Sequence, residues 1–331
     1  MLLHDVRDDT AWSAAIPVTI IGGCVGAGKT TFINHLLAGS GTHRLAVVTN
    51  EFGSTPLDRQ RIAQMRGTTV DLADGCACCT HAAELVLTLA SLCGGPQPPT
   101  QILIEANGAS DPRRIASVVG LRGLRFDALV AIADAEAIRA LAGDPDSGAP
   151  VRRQLVAADI IVLNKIDLVT PSEKDAVRDW VSELVPGARI VEASHGRVPT
   201  ELVVGPEAER RGPGSEADGP ALTMDDAEYA RWVWVSDEML DGPAFRWWAA
   251  NLPDGVLRSW GAMYLEEDPS HRYVFHLVGA RWALVRDVPW GAEHPRNHLV
   301  LLARPHALDH RWLDMRIARC VGHHVQAPSG G

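Results

Sequence analysis

Ile20-Ile21-Gly22-Gly23-Cys24-Val25-Gly26-Ala27-Gly28-Lys29-Thr30-Thr31 decides the fold of this chain: an apolar strand end, a glycine-rich loop and the first turn of a helix, in that order. Within it, Gly23-x4-Gly28-Lys29-Thr30 assigns a physical task to each fixed position. Glycines let backbone N–H groups turn toward phosphate oxygens, lysine reaches the β and γ oxygens, and the threonine hydroxyl takes Mg²⁺. A strand read over Pro17 to Ile21 and the helical spacing of Phe32, Leu36 and Leu37 put the phosphates at a helix N-terminus. The expected nucleotide-binding residues are therefore Gly23, Gly26, Ala27, Gly28, Lys29, Thr30 and Thr31. Lysine is otherwise nearly absent. Lys29, Lys165 and Lys174 are the three in the sequence, and two of them fall inside nucleotide motifs.

Outward from this loop, from Pro17 to about Val204, apolar runs of strand type alternate with helical patterns. That alternation predicts an α/β domain, a mostly parallel sheet with helices on both faces. Six strands are expected: Val18 to Ile21, Leu45 to Thr49, Gln101 to Glu105, Ala128 to Ala133, Ile160 to Asn164 and Arg189 to Val191. The strongest motifs stand at the C-terminal ends of these strands, where open α/β sheets bind ligands. From Gly205 the chain becomes rich in Gly, Pro, Glu and Arg and reads as a linker over 205–222. The sequence thus divides into a nucleotide domain over 1–204, the linker, a smaller α+β domain over 223–322 and a tail over 323–331. In the second domain, strands are expected over Arg231 to Val235, Val256 to Leu265, Arg272 to Val278, Arg281 to Arg286 and His298 to Arg304. Helices are expected over Pro243 to Asn251 and Pro305 to Arg319. Its many tryptophans read as core, and its scattered histidines as structural, with only His323-His324 resembling a metal-binding tail.

Asn164-Lys165-Ile166-Asp167 follows the apolar run Ile160 to Leu163 and supplies what guanine recognition needs. A carboxylate accepts two hydrogen bonds from the guanine N1–H and exocyclic amine, whereas adenine offers an acceptor there and leaves a buried charge unpaired. Asp167 therefore selects GTP over ATP, with Lys165 along the base and Asn164 bracing the loop. Glu105, at the end of Ile102-Leu103-Ile104, is placed to hold Mg²⁺ through water together with Thr30, and the Gly108 N–H to meet the γ-phosphate. Lys29, Thr30, Glu105 and Gly108 are the expected catalytic set. No general base stands out, so catalysis rests on positioning and electrostatics.

Cys76-Ala77-Cys78-Cys79 brings three thiols together, a density of soft ligands suited to Zn²⁺ or another transition metal. Glu51, in Asn50-Glu51-Phe52-Gly53, is open to three roles: transition-metal ligand, support behind Mg²⁺, or ion-pair partner. With 331 residues, 46% of them hydrophobic, the chain can bury a large core in two domains, and a formal charge of −10 argues against nucleic acid or an anionic membrane as partner. No apolar run long enough to span a bilayer occurs, and Asp5, Asp8 and Asp9 do not suit a signal peptide, so a cytoplasmic protein is expected.

Taken in this order, the phosphate loop, Asn50 to Gly53, Cys76 to Cys79, Glu105 to Gly108 and Asn164 to Asp167 resemble the CobW-type metallochaperone GTPases. Val256-Leu257-Arg258-Ser259-Trp260-Gly261 is similar to the C-terminal-domain signature of that family. The resemblance implies a GTPase that uses GTP and Mg²⁺, binds zinc or a similar metal near the nucleotide, and hands it to a client metalloprotein; a homodimer is a further expectation. Two alternatives stay open: a nucleotide-gated metal sensor or buffer, and a small-molecule P-loop kinase, against which Asn164 to Asp167 argues. Three departures from the family pattern stand out: Ser54 in place of a second acid, Asn107 before Gly108, and Trp260 where lysine is common. The long histidine-rich segment of many members is missing.

Overall fold

The computed structural model describes residues 15–41, 43–49, 67–71, 82–106, 112–119, 123–204 and 229–322. The chain divides into two compact units: Met1–Glu207 with Val278–Arg281, and Ala208–Leu277 with Trp282–Gly331. The expected linker, 205–222, lies outside the described residues.

The first unit is built on seven strands: β1 (Ile16–Gly23), β2 (Leu45–Thr49), β3 (Gly67–Asp71), β4 (Gln101–Glu105), β5 (Leu124–Asp134), β6 (Ile160–Asn164) and β7 (Arg189–Glu192). They lie in the order β3-β2-β4-β1-β5-β6-β7, and each adjacent pair is parallel. Strands buried on both faces carry continuous apolar runs, as Val18, Ile20, Ile21, Val47, Ile102, Leu103 and Val162 do here. The six expected strands are present, and β3 is added. Gly-Thr-Thr-Val-Asp is short and mostly polar, so no apolar run announces β3. β1, β5 and β7 also run beyond their expected ends.

Among the described residues, the helices of this unit are α1 (Lys29–Ala38), α2 (Ala82–Gly94), α3 (Pro112–Val118), α4 (Ile138–Gly143), α5 (Gly148–Ala157) and α6 (Pro171–Leu184). The crossover from β1 to β2 moves one way across the sheet, and the later crossovers into β4, β5, β6 and β7 move the other way. Right-handed connections therefore place α1 on one face and α2 to α6 on the opposite one. Leu85, Leu89 and Ile115 accordingly pack on Val18, Ile20, Ala46 and Ile104, while Val151, Leu155, Val177 and Val181 pack on Ala131, Ala133, Ile161 and Leu163. Because β2 to β4 lie on one side of β1 and β5 to β7 on the other, the crevice where the order reverses opens at the C-terminal end of β1. The glycine-rich loop leaves the sheet there.

The second unit holds a five-stranded sheet in the order β11-β10-β9-β12-β8, formed by β8 (Ala230–Ser236), β9 (Val256–Met263), β10 (His271–Val278), β11 (Arg281–Pro289) and β12 (Asn297–Ala303). β12 pairs antiparallel with both β8 and β9. Helices α7 (Gly242–Ala250) and α8 (His310–Ala318) bury Phe245, Trp248, Leu313 and Ile317 against Trp232, Phe275, Leu299 and Leu301. Most observed ends lie within a residue of the expected ones; β11 runs on to Pro289, and two further differences have a local cause. α8 starts at His310 because the Asp309 carboxylate accepts the Trp312 N–H at 3.1 Å and caps the helix. β9 stops at Met263, where the Asn297 side chain takes the Tyr264 N–H at 2.8 Å. Trp232, Trp248, Trp260 and Trp290 are core, whereas Trp247 is 56% exposed, with the Arg316 guanidinium 5.6 Å from its ring. His323 and His324 lie outside the described residues, and among the described residues no helix is long and apolar enough to cross a membrane.

Candidate functional site

The phosphate loop takes its shape from three glycines with positive φ: Gly23 at 136°, Gly26 at 81° and Gly28 at 101°. These are conformations that side-chain-bearing residues avoid. At Gly23 a Cβ would run into the Ile132 carbonyl oxygen, and at Gly28 it would stand 2.5 Å from Asn164 Nδ2. The loop closes on itself through Ala27 N–H to Cys24 O at 3.2 Å, and α1 begins at once with Phe32 N–H to Gly28 O at 2.9 Å. Lys29 is 3% exposed, and its ammonium donates to the carbonyls of Gly23 at 3.2 Å and Cys24 at 3.3 Å. Thr30 is half-buried in the first turn of α1, and Thr31 is exposed. Burial pushes the Cys24 thiol above its ordinary range, with Lys29 pulling the other way.

β6 brings the second motif to the same crevice. Asn164, 2% exposed, donates from Nδ2 to Ala27 O at 2.9 Å and accepts the Gly196 N–H on Oδ1 at 2.8 Å. One carboxamide thus ties the phosphate loop to the loop after β7. Lys165 has a left-handed backbone, φ 62°, and its ammonium meets Asp134 Oδ2 at 2.6 Å. Asp167 sits in the 3-10 turn Ile166–Leu168, partly open to solvent, with His195 Nε2 3.8 Å from its Oδ2. His195 is itself left-handed at φ 55°, and a Cβ on Gly196 would strike the backbone of Phe32 in α1. A carboxylate on a rigid turn, flanked by a loop packed on the phosphate helix, can read a base edge.

On the other side of β1, Glu105 closes β4 in register with Ile21 and is 1% exposed. The chain then turns in at Ala106, whose N–H binds Ile21 O at 2.8 Å. The structure therefore gathers the loop residues 23–31, Glu105, Asn164, Lys165 and Asp167 at one edge of the sheet. Glu51, Cys76, Cys78, Cys79 and Gly108, with Ser54 and Asn107, lie outside the described residues. Among the described residues no group of His, Cys, Asp or Glu is arranged to hold a metal ion.

Sequence reasoning passes over three contributors. Gln154 of α5, 2% exposed, accepts the Gly23 N–H at 2.9 Å. Its signal was a polar side chain on the stripe shared with Val151 and Leu155. Asp134 accepts from Lys165 and from the Glu136 N–H, and a carboxylate ending an apolar strand was its mark. The His195-Gly196 turn had none beyond a glycine after a strand.

Residues 17–192 match the family model described as CobW/HypB/UreG, nucleotide-binding domain, and residues 229–321 match that described as cobalamin synthesis protein cobW C-terminal domain. A Pseudomonas aeruginosa protein named zinc chaperone CobW is 31% identical over 229 residues, which are 59% of this chain and 61% of that one. The chain thus spans less than two thirds of that relative. A Sinorhizobium protein of the same name is 29% identical over 338 aligned residues, covering 89% of this chain and 94% of its own. The structure of Zn(II)-bound YjiA GTPase from E. coli aligns at 19% identity and a TM-score of 0.44, covering 93% of this chain and 99% of that one.

Proposed function

The chain belongs to the CobW/HypB/UreG nucleotide-binding family, and from that premise we propose that it is a GTP-hydrolysing metallochaperone. It binds Zn²⁺ or a similar transition metal as cargo at Cys76, Cys78 and Cys79, and passes it to a client metalloprotein. The observation that carries the reading is Asn164, whose side chain joins the phosphate loop to the loop beside Asp167, so that phosphates and a base are held as one unit. The names of the relatives, zinc chaperones, support zinc as the cargo.

In this account Asp167 accepts the N1–H and exocyclic amine of guanine, and the loop amides with Lys29 neutralise charge on the transferring phosphoryl group. The Thr30 hydroxyl and the Glu105 carboxylate are hard oxygen donors at the same sheet edge and would hold Mg²⁺, which would neutralise phosphate charge. The Gly108 N–H contacts the γ-phosphate and the loop that carries it relaxes on hydrolysis. Nucleotide state then sets the geometry of the cysteine segment, so that GTP and metal affinities are reciprocally coupled. Glu51 serves as a further metal ligand. The domain limits 1–204 and 223–322, a cytoplasmic setting and a homodimer complete the proposal.

Turnover of GTP and ATP with and without Zn²⁺ tests it. GTP is hydrolysed in preference to ATP, Zn²⁺ speeds the reaction, and Cys78→Ser loses both the acceleration and metal affinity. A preference for ATP, or a Cys78→Ser variant that holds zinc as tightly as the wild type, contradicts the reading. Metal binding without any turnover favours a sensor or buffer instead.

A further inference from the structure

The first amide of the phosphate loop is held by a helix far away in sequence. Gln154, in α5, directs its Oε1 at the Gly23 N–H, 2.9 Å away and 131 residues distant. The carbonyl of the same glycine accepts from Lys29 Nζ at 3.2 Å, and the Cys24 carbonyl accepts from it at 3.3 Å. Gly23 therefore has Gln154 on its N–H and Lys29 on its C=O. Its φ of 136° is not a geometry the chain favours by itself for most residues, and the Ile132 carbonyl stands where a Cβ would go. Its neighbours orient the two peptide groups that meet at Gly23.

Val151 and Leu155, on the same stripe of α5, pack into the apolar core against β5 and β6. A leucine or methionine at 154 would extend that core without needing partners, whereas a buried amide is costly unless it is hydrogen-bonded. We propose that Gln154 is a positioning residue of the phosphate site: it sets the orientation of the Gly22–Gly23 peptide and, through the Gly23 dihedrals, the seat of the Lys29 ammonium. It touches no substrate and acts only through the loop. The inference rests on the nucleotide reading above for the identity of the ligand.

Two variants of the full chain test it, Gln154→Met and Gln154→Glu, each with melting temperature, GTP affinity, kcat and KM measured. Met keeps the shape and removes the acceptor, and we expect kcat at saturating GTP to fall about 10-fold or more. Glu keeps an acceptor for Gly23 and brings negative charge toward the phosphates. It should recover most of the kcat lost in the Met variant while raising KM. A residue that only fills space would change the melting temperature and leave kcat per folded molecule as in the wild type. Wild-type kcat in Gln154→Met, or equal kcat losses with unchanged KM in both variants, overturns the inference. A wild type that hydrolyses no GTP would sink the proposed function instead. Gln154 is then tested by affinity for whichever triphosphate the wild type binds, and tight binding by Gln154→Met overturns the inference there too.

Discussion

Asn164→Ala removes one side chain from two loops at once. The wild-type carboxamide donates to Ala27 O at 2.9 Å and accepts from Gly196 N–H at 2.8 Å, with the residue 2% exposed. A neutral hydrogen bond contributes about 1 kcal/mol net, but a buried donor or acceptor stripped of its partner costs about 1–3 kcal/mol. Two groups are stripped here. Water entering the space of the carboxamide recovers part of the loss, so the first unit should be destabilised by about 2–4 kcal/mol. Urea unfolding followed by far-ultraviolet circular dichroism reads this directly. Fluorescent-GTP titration reads the second consequence, a roughly 10- to 100-fold loss of affinity, because phosphate loop and base loop no longer share a brace. Asn164→Asp separates the two contacts: it keeps an acceptor for Gly196 but sets an oxygen against Ala27 O, and should bind GTP as poorly as the alanine variant. Stability within about 0.5 kcal/mol of wild type, a change typical of surface positions, together with unchanged GTP affinity, would refute the bracing argument.

Asp167→Asn exchanges an acceptor pair for a donor and an acceptor, so competition binding should show GTP weakened about 100-fold or more and XTP, whose base carries a carbonyl in place of the amine, preferred; retained GTP preference would place base recognition elsewhere. The Cys24 thiol, raised by burial, holds little thiolate near neutral pH. Peptide mapping after iodoacetamide treatment at pH 7.5 should find it alkylated more slowly than free glutathione, and faster alkylation would contradict the assignment. His298 is pushed below its ordinary value by burial first and then by Arg231 and Arg296. The unfolded chain therefore binds more protons as pH falls through about 6.5, so the stability from neutral His298 is full above that pH and is lost as pH falls toward the depressed folded value. Melting curves between pH 7 and 5 should be flatter for His298→Gln than for the wild type, and identical slopes would remove His298 from the account.

What was legible in the sequence is what is local. The phosphate loop lies within a dozen residues, and Asn164 to Asp167 are contiguous, so the chemistry of each could be read from neighbours along the chain. The apolar runs of β2, β4 and β6 announce buried parallel strands because both their faces are covered. β3 carries too little apolar surface to be seen, and its place comes from backbone pairing with β2. Gln154 acts on the site across 131 residues and the His195-Gly196 turn across 32, through packing that only the fold creates. α8 starts at His310 and not at Pro305, because its cap is the Asp309 carboxylate, one polar side chain among several in that stretch.

If nucleotide state and metal affinity are coupled as proposed, Zn²⁺ affinity changes when the protein is loaded in turn with GDP and with a non-hydrolysable GTP analogue. Isothermal titration should give at least a tenfold difference between the two states, about 1.4 kcal/mol of coupling, abolished by Cys78→Ser. Equal zinc affinity in both nucleotide states would contradict it.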